Sequence, residues 1–232
     1  MIRAVFLDAG NTLLRMNYAA IAAELARHGV RATPDAVERA EWRARVRLDE
    51  ALFAGPAPGA STESRASAGR YVRLLLEALG VTDAAVVAAL LEWRRTYNPP
   101  VGPWNVPDPH AGAALRLLRG AGVAAAVISN SNGSARAILE RVGLAAHLDF
   151  VIDSAEVGVE KPDPRIFALA LARAGVGAAQ AAYVGDLYSV DVRGARASGI
   201  GAVLLDPGGC WGTRDCPTAP HVLAAVRLLL GA

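Results

Sequence analysis

Lysine is almost missing from this chain. Of 24 basic residues 23 are arginine, and Lys161 is the single lysine in 232 residues. A guanidinium is a broad planar fork and an ammonium a compact point charge, so a lone Lys marks a place where the fork would not fit. Cysteine is scarce as well. Cys210 and Cys216 are too few for a disulfide scaffold and too far from any histidine cluster for zinc spacing, so they read as reduced thiols. No run approaches the roughly 20 apolar residues of a membrane-spanning helix. Charges of one sign never gather into blocks: 24 basic residues face 22 acidic ones, a net +2. That scatter argues against nucleic acid or a membrane surface as partner. The start, Met1 to Leu7, meets Asp8 before any signal-peptide core develops, so a reducing cytoplasm is the expected setting.

What the chain has instead is apolar bulk. Hydrophobic residues make up 53% and charged ones 20%, which is ample for a core and incompatible with disorder. The 49 alanines point to closely packed helices rather than an all-β sandwich. Five short apolar runs each close on a small or acidic residue. They are Ile2–Leu7 before Asp8, Gly122–Ile128 before Ser129-Asn130, Phe150–Ile152 before Asp153, Ala181–Val184 before Gly185-Asp186, and Ala202–Leu205 before Asp206. This is the pattern of buried parallel strands. Helical stretches at about 109–120, 133–145, 164–175, 189–198 and 221–230 lie between and after them. The alternation predicts an α/β fold with a doubly wound parallel sheet, whose ligands collect at the carboxyl ends of the strands.

Residues 15–105 break the alternation. They read as four helices, Ala19–His28, Pro34–Leu52, Arg65–Leu79 and Ala84–Tyr97, with stop signals at Gly29, Gly80 and Pro99-Pro100 and no convincing strand. The segment 54–69 is rich in Pro, Gly and Ser and reads as a tolerated surface loop, with a mobile lid as the alternative. The expected organisation is therefore an α/β core over 1–14 and 106–232, with an inserted α-helical domain over 15–105.

Taken singly, the strand-end residues say little, because a strand-end Asp is often only a helix cap. Their order says more: Asp8-Ala9-Gly10-Asn11-Thr12, then Ser129-Asn130, then Glu160-Lys161-Pro162-Asp163-Pro164, then Gly185-Asp186 with Asp191. This constellation resembles the haloacid dehalogenase-like hydrolase superfamily, with 15–105 in the place of that family's cap domain.

The resemblance implies roles that chemistry makes intelligible. Asp8 would be a carboxylate nucleophile, splitting one hard displacement into two easier ones. Asp8, Asp186 and the backbone carbonyl of Gly10 would hold Mg²⁺, with Asp191 joining them or orienting the site from behind. Ser129 and the amide of Asn130 would hold phosphate oxygens, and Lys161 would neutralise Asp8 and the developing charge. Thr12 would fix the turn after Asp8 by a local hydrogen bond and join Ser129 and Asn130 at the phosphate. The expected substrate is a small phosphorylated molecule, and the oligomeric state, monomer or homodimer, stays open.

One position departs from the family pattern. Phosphatases of this superfamily usually carry a second Asp two residues after the nucleophile, as general acid, and here Gly10 stands there. Positioned acid catalysis is worth about 10²–10⁴-fold, so efficient hydrolysis of alkyl phosphates is in question while nucleophile and metal are untouched. A metal-free 2-haloacid dehalogenase is the alternative, because a halide leaves without a proton. Against it, three carboxylates at Asp8, Asp186 and Asp191 would repel a haloacid anion unless a cation sat among them. A ligand binder that has lost turnover is the third reading, opposed by the otherwise intact set. His110 is a weak candidate for a cleft edge, as is Tyr188 for the site's mouth. Trp42, Trp93 and Trp104 read as packing of the insert, and the Arg39, Arg43, Arg47 face reads as solvated.

Overall fold

The computed structural model describes residues 1–53 and 61–231. The chain forms two compact units, Met1–Arg15 with Asn105–Ala232, and Met16–Trp104. In chain order, β1 (Ala4–Leu7) and β2 (Leu14–Met16) come first. Four helices follow: α1 (Tyr18–Arg27), α2 (Pro34–Leu48), α3 (Arg65–Ala78) and α4 (Ala84–Thr96). Then come β3 (Trp104–Pro107), α5 (Ala111–Gly120), β4 (Ala124–Ser129), α6 (Ala135–Arg141), β5 (Phe150–Asp153), α7 (Ser154–Val157) and α8 (Pro164–Ala174). The chain closes with β6 (Ala181–Gly185), α9 (Arg193–Ala197), β7 (Gly201–Leu205), β8 (Thr218–Ala219) and α10 (Val222–Leu230).

The larger unit is a six-stranded, all-parallel sheet in the order β5-β4-β1-β6-β7-β8. β1 is central and wholly buried, pairing Leu7 with Val127 on one side and Val184 on the other. The chain runs outward from β1 through β4 to β5, then returns to β6 on the opposite flank. The order therefore reverses at β1, and the residue after β1 stands at the crevice where such sheets bind ligands. That residue is Asp8, with Ser129 at the end of β4 and Gly185-Asp186 at the end of β6.

The smaller unit is built by capped amphipathic helices. Asn17, Thr33, Ser64 and Asp83 each cap a helix by accepting backbone N–H bonds in its first turn, and Pro34 occupies a position where no N–H is needed. Apolar faces built on Leu25, Val37, Ala40, Leu74, Leu76 and Leu90 are buried within it. Trp93 packs against Tyr97 and Trp104 stacks on Tyr71, as packing residues do. Sequence patterning did not announce the buried ion pair of α2. Arg45 and Glu41, one turn apart and almost fully buried, bond in bidentate fashion, and Tyr71 and Tyr18 also donate to the same carboxylate. Four donors on one carboxylate are what lets a charge stay buried. The neighbouring Arg39, Arg43 and Arg47 are exposed.

Several boundaries differ from the sequence reading. The first strand starts at Ala4 rather than Ile2. The stretch expected as one helix over 133–145 ends at Arg141, where Gly143 takes a left-handed φ of 76°. The helix expected over 189–198 begins as a π turn, Tyr188–Val192, before α9. Of the expected loop 54–69, residues 54–60 lie outside the described residues, and 65–69 are already helix, started by the Ser64 cap. β2 and β3 pair as a separate two-stranded sheet at the borders of the insert, too short to show a period of two. Among the described residues no helix is long and apolar enough to cross a membrane.

Candidate active site

β1 delivers Asp8 by continuing its ladder one step, with the Asp8 amide donating to the Val184 carbonyl at 2.9 Å. The chain then turns sharply. The Ala9 carbonyl accepts from both Leu13 and Leu14, at 3.0 and 2.8 Å, and Asn11 adopts a left-handed φ of 53°. Asn tolerates that region better than most residues because its short amide can bond locally. Here the amide reaches much further: Asn11 Nδ2 donates to Asp186 Oδ2 at 3.1 Å, joining the ends of β1 and β6.

Lys161 arrives on the loop after α7 and is held by its backbone before its side chain does anything. Asn130 accepts from the Lys161 amide at 2.7 Å and donates to the Lys161 carbonyl at 2.9 Å. The ammonium donates to Asp8 Oδ1 at 2.6 Å, to the Tyr183 hydroxyl at 2.8 Å and to Asp191 Oδ1 at 2.8 Å. Its side chain is 2% exposed, against 12% for Asp8 and 2% for Asp191.

One ammonium serving two buried carboxylates cannot compensate both in full. Burial pushes the Asp8 carboxyl up to about 6 against the pull of Lys161, and the Asp191 charge pushes the same way as burial. Burial also opposes the charge on Lys161, but Asp191 and Asp8 outweigh it and hold the ammonium above its ordinary value. The Tyr183 hydroxyl is driven well up by burial, then by Asp191 and Asp8, so it stays a neutral phenol.

Asp191 is engaged by the protein's own donors. It stands in the π turn after β6 with both oxygens of its carboxylate engaged. Oδ1 accepts from Lys161 and lies 3.2 Å from the Tyr183 hydroxyl, and Oδ2 accepts from the amides of Asp186 at 3.0 Å and Leu187 at 2.9 Å. A carboxylate spent this way holds the loop and the lysine. The approach needs Gly185, because a Cβ there would lie 2.4 Å from Asp191 Cγ and Oδ2. Gly185→Ala should therefore dislodge the Asp191 carboxylate and cost at least about 3 kcal/mol, a mixture of overpacking and stranded hydrogen bonds. Urea unfolding of the two proteins checks it.

The local hydrogen bond expected of Thr12 is not found among the described residues. The turn it was to fix is held by the Ala9 carbonyl, and Thr12 Oγ1 is buried without a hydrogen-bond partner among the described residues. Ser129 is buried at the end of β4, its hydroxyl making only a long 3.4 Å bond to the Asn130 carbonyl. The Asn130 side chain is committed to the Lys161 backbone, which leaves its main-chain N–H as the group relevant to an anion. Gly10 forms a single bridge to Leu14.

Three residues that the sequence reading did not select complete the arrangement. They are Asn11, Tyr183 and Asp153. Asp153, fully buried, accepts from the amides of Gly133, Ala135 and Ala155 at 3.0, 3.2 and 3.0 Å, and so fixes the loop beyond Ser129. The only advance signal for Tyr183 was a hydroxyl inside an otherwise apolar strand. His110 stacks on His221, with centroids 3.7 Å apart. The Tyr188 hydroxyl donates to Asp215 at 2.7 Å.

The donors expected for a metal are oxygens: the Asp8 and Asp186 carboxylates and the Gly10 carbonyl. Hard oxygen donors suit Mg²⁺, which needs only one or two protein carboxylates when water and substrate phosphate complete its shell. Among the described residues no group of three or more His, Cys, Asp or Glu side chains is arranged to hold a metal, consistent with the engagement of Asp191 elsewhere. Asp8, Asp186 and Asp191 bring three carboxylates to a site where Lys161 is the cation that meets Asp8 and Asp191. On these grounds the donor set fits Mg²⁺.

Comparison with known proteins shows the family. The sequence profile of the haloacid dehalogenase-like hydrolases matches residues 2–199. The human haloacid dehalogenase-like hydrolase domain-containing protein 3 is 34% identical over 241 residues, covering 100% of this chain and 93% of that protein. Phosphoserine phosphatase of Thermus thermophilus is 46% identical over 101 residues, or 43% of this chain and 41% of that one. Among solved structures, 2-haloacid dehalogenase from Pseudomonas syringae pv. tomato aligns with a TM-score of 0.60 at 25% identity, over 100% of this chain and 99% of that one.

Proposed function

Because the chain belongs to the haloacid dehalogenase-like hydrolase family, we propose that it is a Mg²⁺-dependent phosphatase acting on a small phosphorylated metabolite through an aspartyl-phosphate on Asp8. The observation that carries this reading is the second strand-end carboxylate, Asp186, tied to the Asp8 loop by Asn11. A metal-free dehalogenase has no use for that charge, which would repel a haloacid anion. The phosphatase name of the Thermus relative supports the same choice.

Lys161 fixes Oδ1 of Asp8, and Oδ2 is the attacking oxygen. It bonds to phosphorus as the ester P–O bond breaks and the leaving group departs with the electron pair. Water then attacks the same phosphorus, the aspartyl P–O bond breaks, and inorganic phosphate leaves with Asp8 restored as a carboxylate. A Mg²⁺ held by Asp8, Asp186 and the Gly10 carbonyl would neutralise the phosphoryl oxygens. Ser129 and the Asn130 amide would bind two of those oxygens. Residues 15–105 are proposed as a cap domain that selects the substrate, inserted into a hydrolase core of 1–14 and 106–232. Cys210 and Cys216 are free thiols, which suits a reducing cytoplasm.

p-Nitrophenyl phosphate tests the reading, because nitrophenolate leaves readily without protonation and so forgives Gly10. Turnover that requires Mg²⁺ and stops with EDTA is the expected result. No turnover, with chloride released from 2-chloropropionate, would move the chain to the dehalogenase branch. Gly10→Asp restores a carboxylate where the leaving oxygen needs a proton. It should raise kcat/KM for ethyl phosphate by about 10²-fold and change that for p-nitrophenyl phosphate little, as read from steady-state rates on both.

A further inference from the structure

An ammonium has three N–H bonds, and Lys161 directs all three at protein acceptors: Asp8 Oδ1, Asp191 Oδ1 and the Tyr183 hydroxyl. We infer that Tyr183 is a positioning residue that pins the Lys161 ammonium beside Asp8, so that Lys161 acts as fixed charge on the nucleophile and donates no hydrogen bond to the substrate. The inference rests on the reading of Asp8 as nucleophile.

The anchor is rigid. Tyr183 lies within β6, is 0% exposed, and sets its ring edge-on to Phe167 at 5.5 Å. Its hydroxyl lies 3.1 Å from the Ile128 carbonyl of β4 and 3.2 Å from Asp191 Oδ1. A phenol has one proton and two lone pairs. The proton serves one of those acceptors, and a lone pair receives the Lys161 N–H. Strand β6 thus carries the oxygen that holds the lysine, and its proton ties it to β4 or to Asp191. With three partners the end of a four-carbon stem is triangulated. With two, it can swing about the line joining the carboxylates, and small misplacements near reacting atoms are costly. The substrate's phosphoryl oxygens must then find their donors elsewhere, at Ser129 and the main-chain amides.

The chain's single lysine makes the test clean, since ¹⁵N-lysine labelling yields one Nζ resonance. Three hydrogen bonds and burial should make the wild-type NH₃⁺ signal visible at neutral pH. Tyr183→Phe keeps the ring and removes only the hydroxyl. Proton exchange at Nζ should then accelerate at least about tenfold, the loss of one hydrogen bond. The kcat for p-nitrophenyl phosphate should fall about 10- to 100-fold with KM changed less than about twofold. Circular dichroism confirms that the variant is folded. An unchanged Nζ signal and exchange rate overturns the inference, as does a changed signal with undiminished kcat. If wild type fails to hydrolyse p-nitrophenyl phosphate, the phosphatase reading has failed instead, and the Nζ resonance decides the tether by itself.

Discussion

Asp8→Asn is expected to reduce Mg²⁺-dependent hydrolysis of p-nitrophenyl phosphate by at least about 10³-fold while leaving a folded protein. The amide has the shape of the carboxylate but no charge and little nucleophilicity, so no aspartyl-phosphate forms. The variant should tolerate the loss structurally. Asp8 already bears the cost of burial, with its carboxyl raised to about 6. Removing its charge leaves Lys161 with Asp191 and Tyr183 as partners. Thermal melting close to wild type, together with lost turnover, separates a chemical defect from an unfolded one. Turnover within about tenfold of wild type would show that Asp8 is not the nucleophile.

Lys161→Met is expected to damage the fold itself. The substitution leaves Asp8 and Asp191 near one another in a buried site with no cation between them, and such stranding typically costs about 3–5 kcal/mol. The effect should depend on pH in a definite direction. Without the ammonium, the folded-state pKa of Asp8 rises further above its unfolded value of 3.8. A carboxyl with a raised folded pKa costs nothing below its unfolded value and the full amount above its folded one. The deficit against wild type should therefore be small near pH 4 and grow as pH rises past about 6. Urea unfolding of both proteins across that range measures it, and a deficit independent of pH would mean that the methionine merely packs badly. Lys161→Arg keeps the charge but replaces a point donor with a fork, so it should recover part of the stability and little of the turnover.

The strands and the residues at their tips were readable because burial on both faces leaves an apolar run that can end only where the chain meets the crevice. Asp8, Ser129 and Asp186 were placed that way, and the single lysine drew attention to 161. β2 and β3 were not readable, since three or four residues carry no periodicity. The early end of α6 was set by Gly143. Asn11 looked like a turn residue and Asp191 like one more acid. Their parts depend on contacts across long stretches of sequence, 175 residues between Asn11 and Asp186 and 30 between Lys161 and Asp191.

By itself, then, the sequence determined the α/β alternation, the four helices of the insert, and the set of polar groups delivered to one edge of the sheet. Hydrophobic periodicity is a local property, and it suffices for these. Only the tertiary structure decided how the groups divide their bonds: that Asp191 serves both the lysine and the loop after β6, that Asn130 holds the lysine's backbone, and that Tyr183 takes the third N–H of Lys161. Hydrogen bonds have strict demands on distance and direction. Which donor meets which acceptor is settled by the packing of β1, β4 and β6 against one another, where a shift of an ångström changes partners that no spacing in the chain can specify.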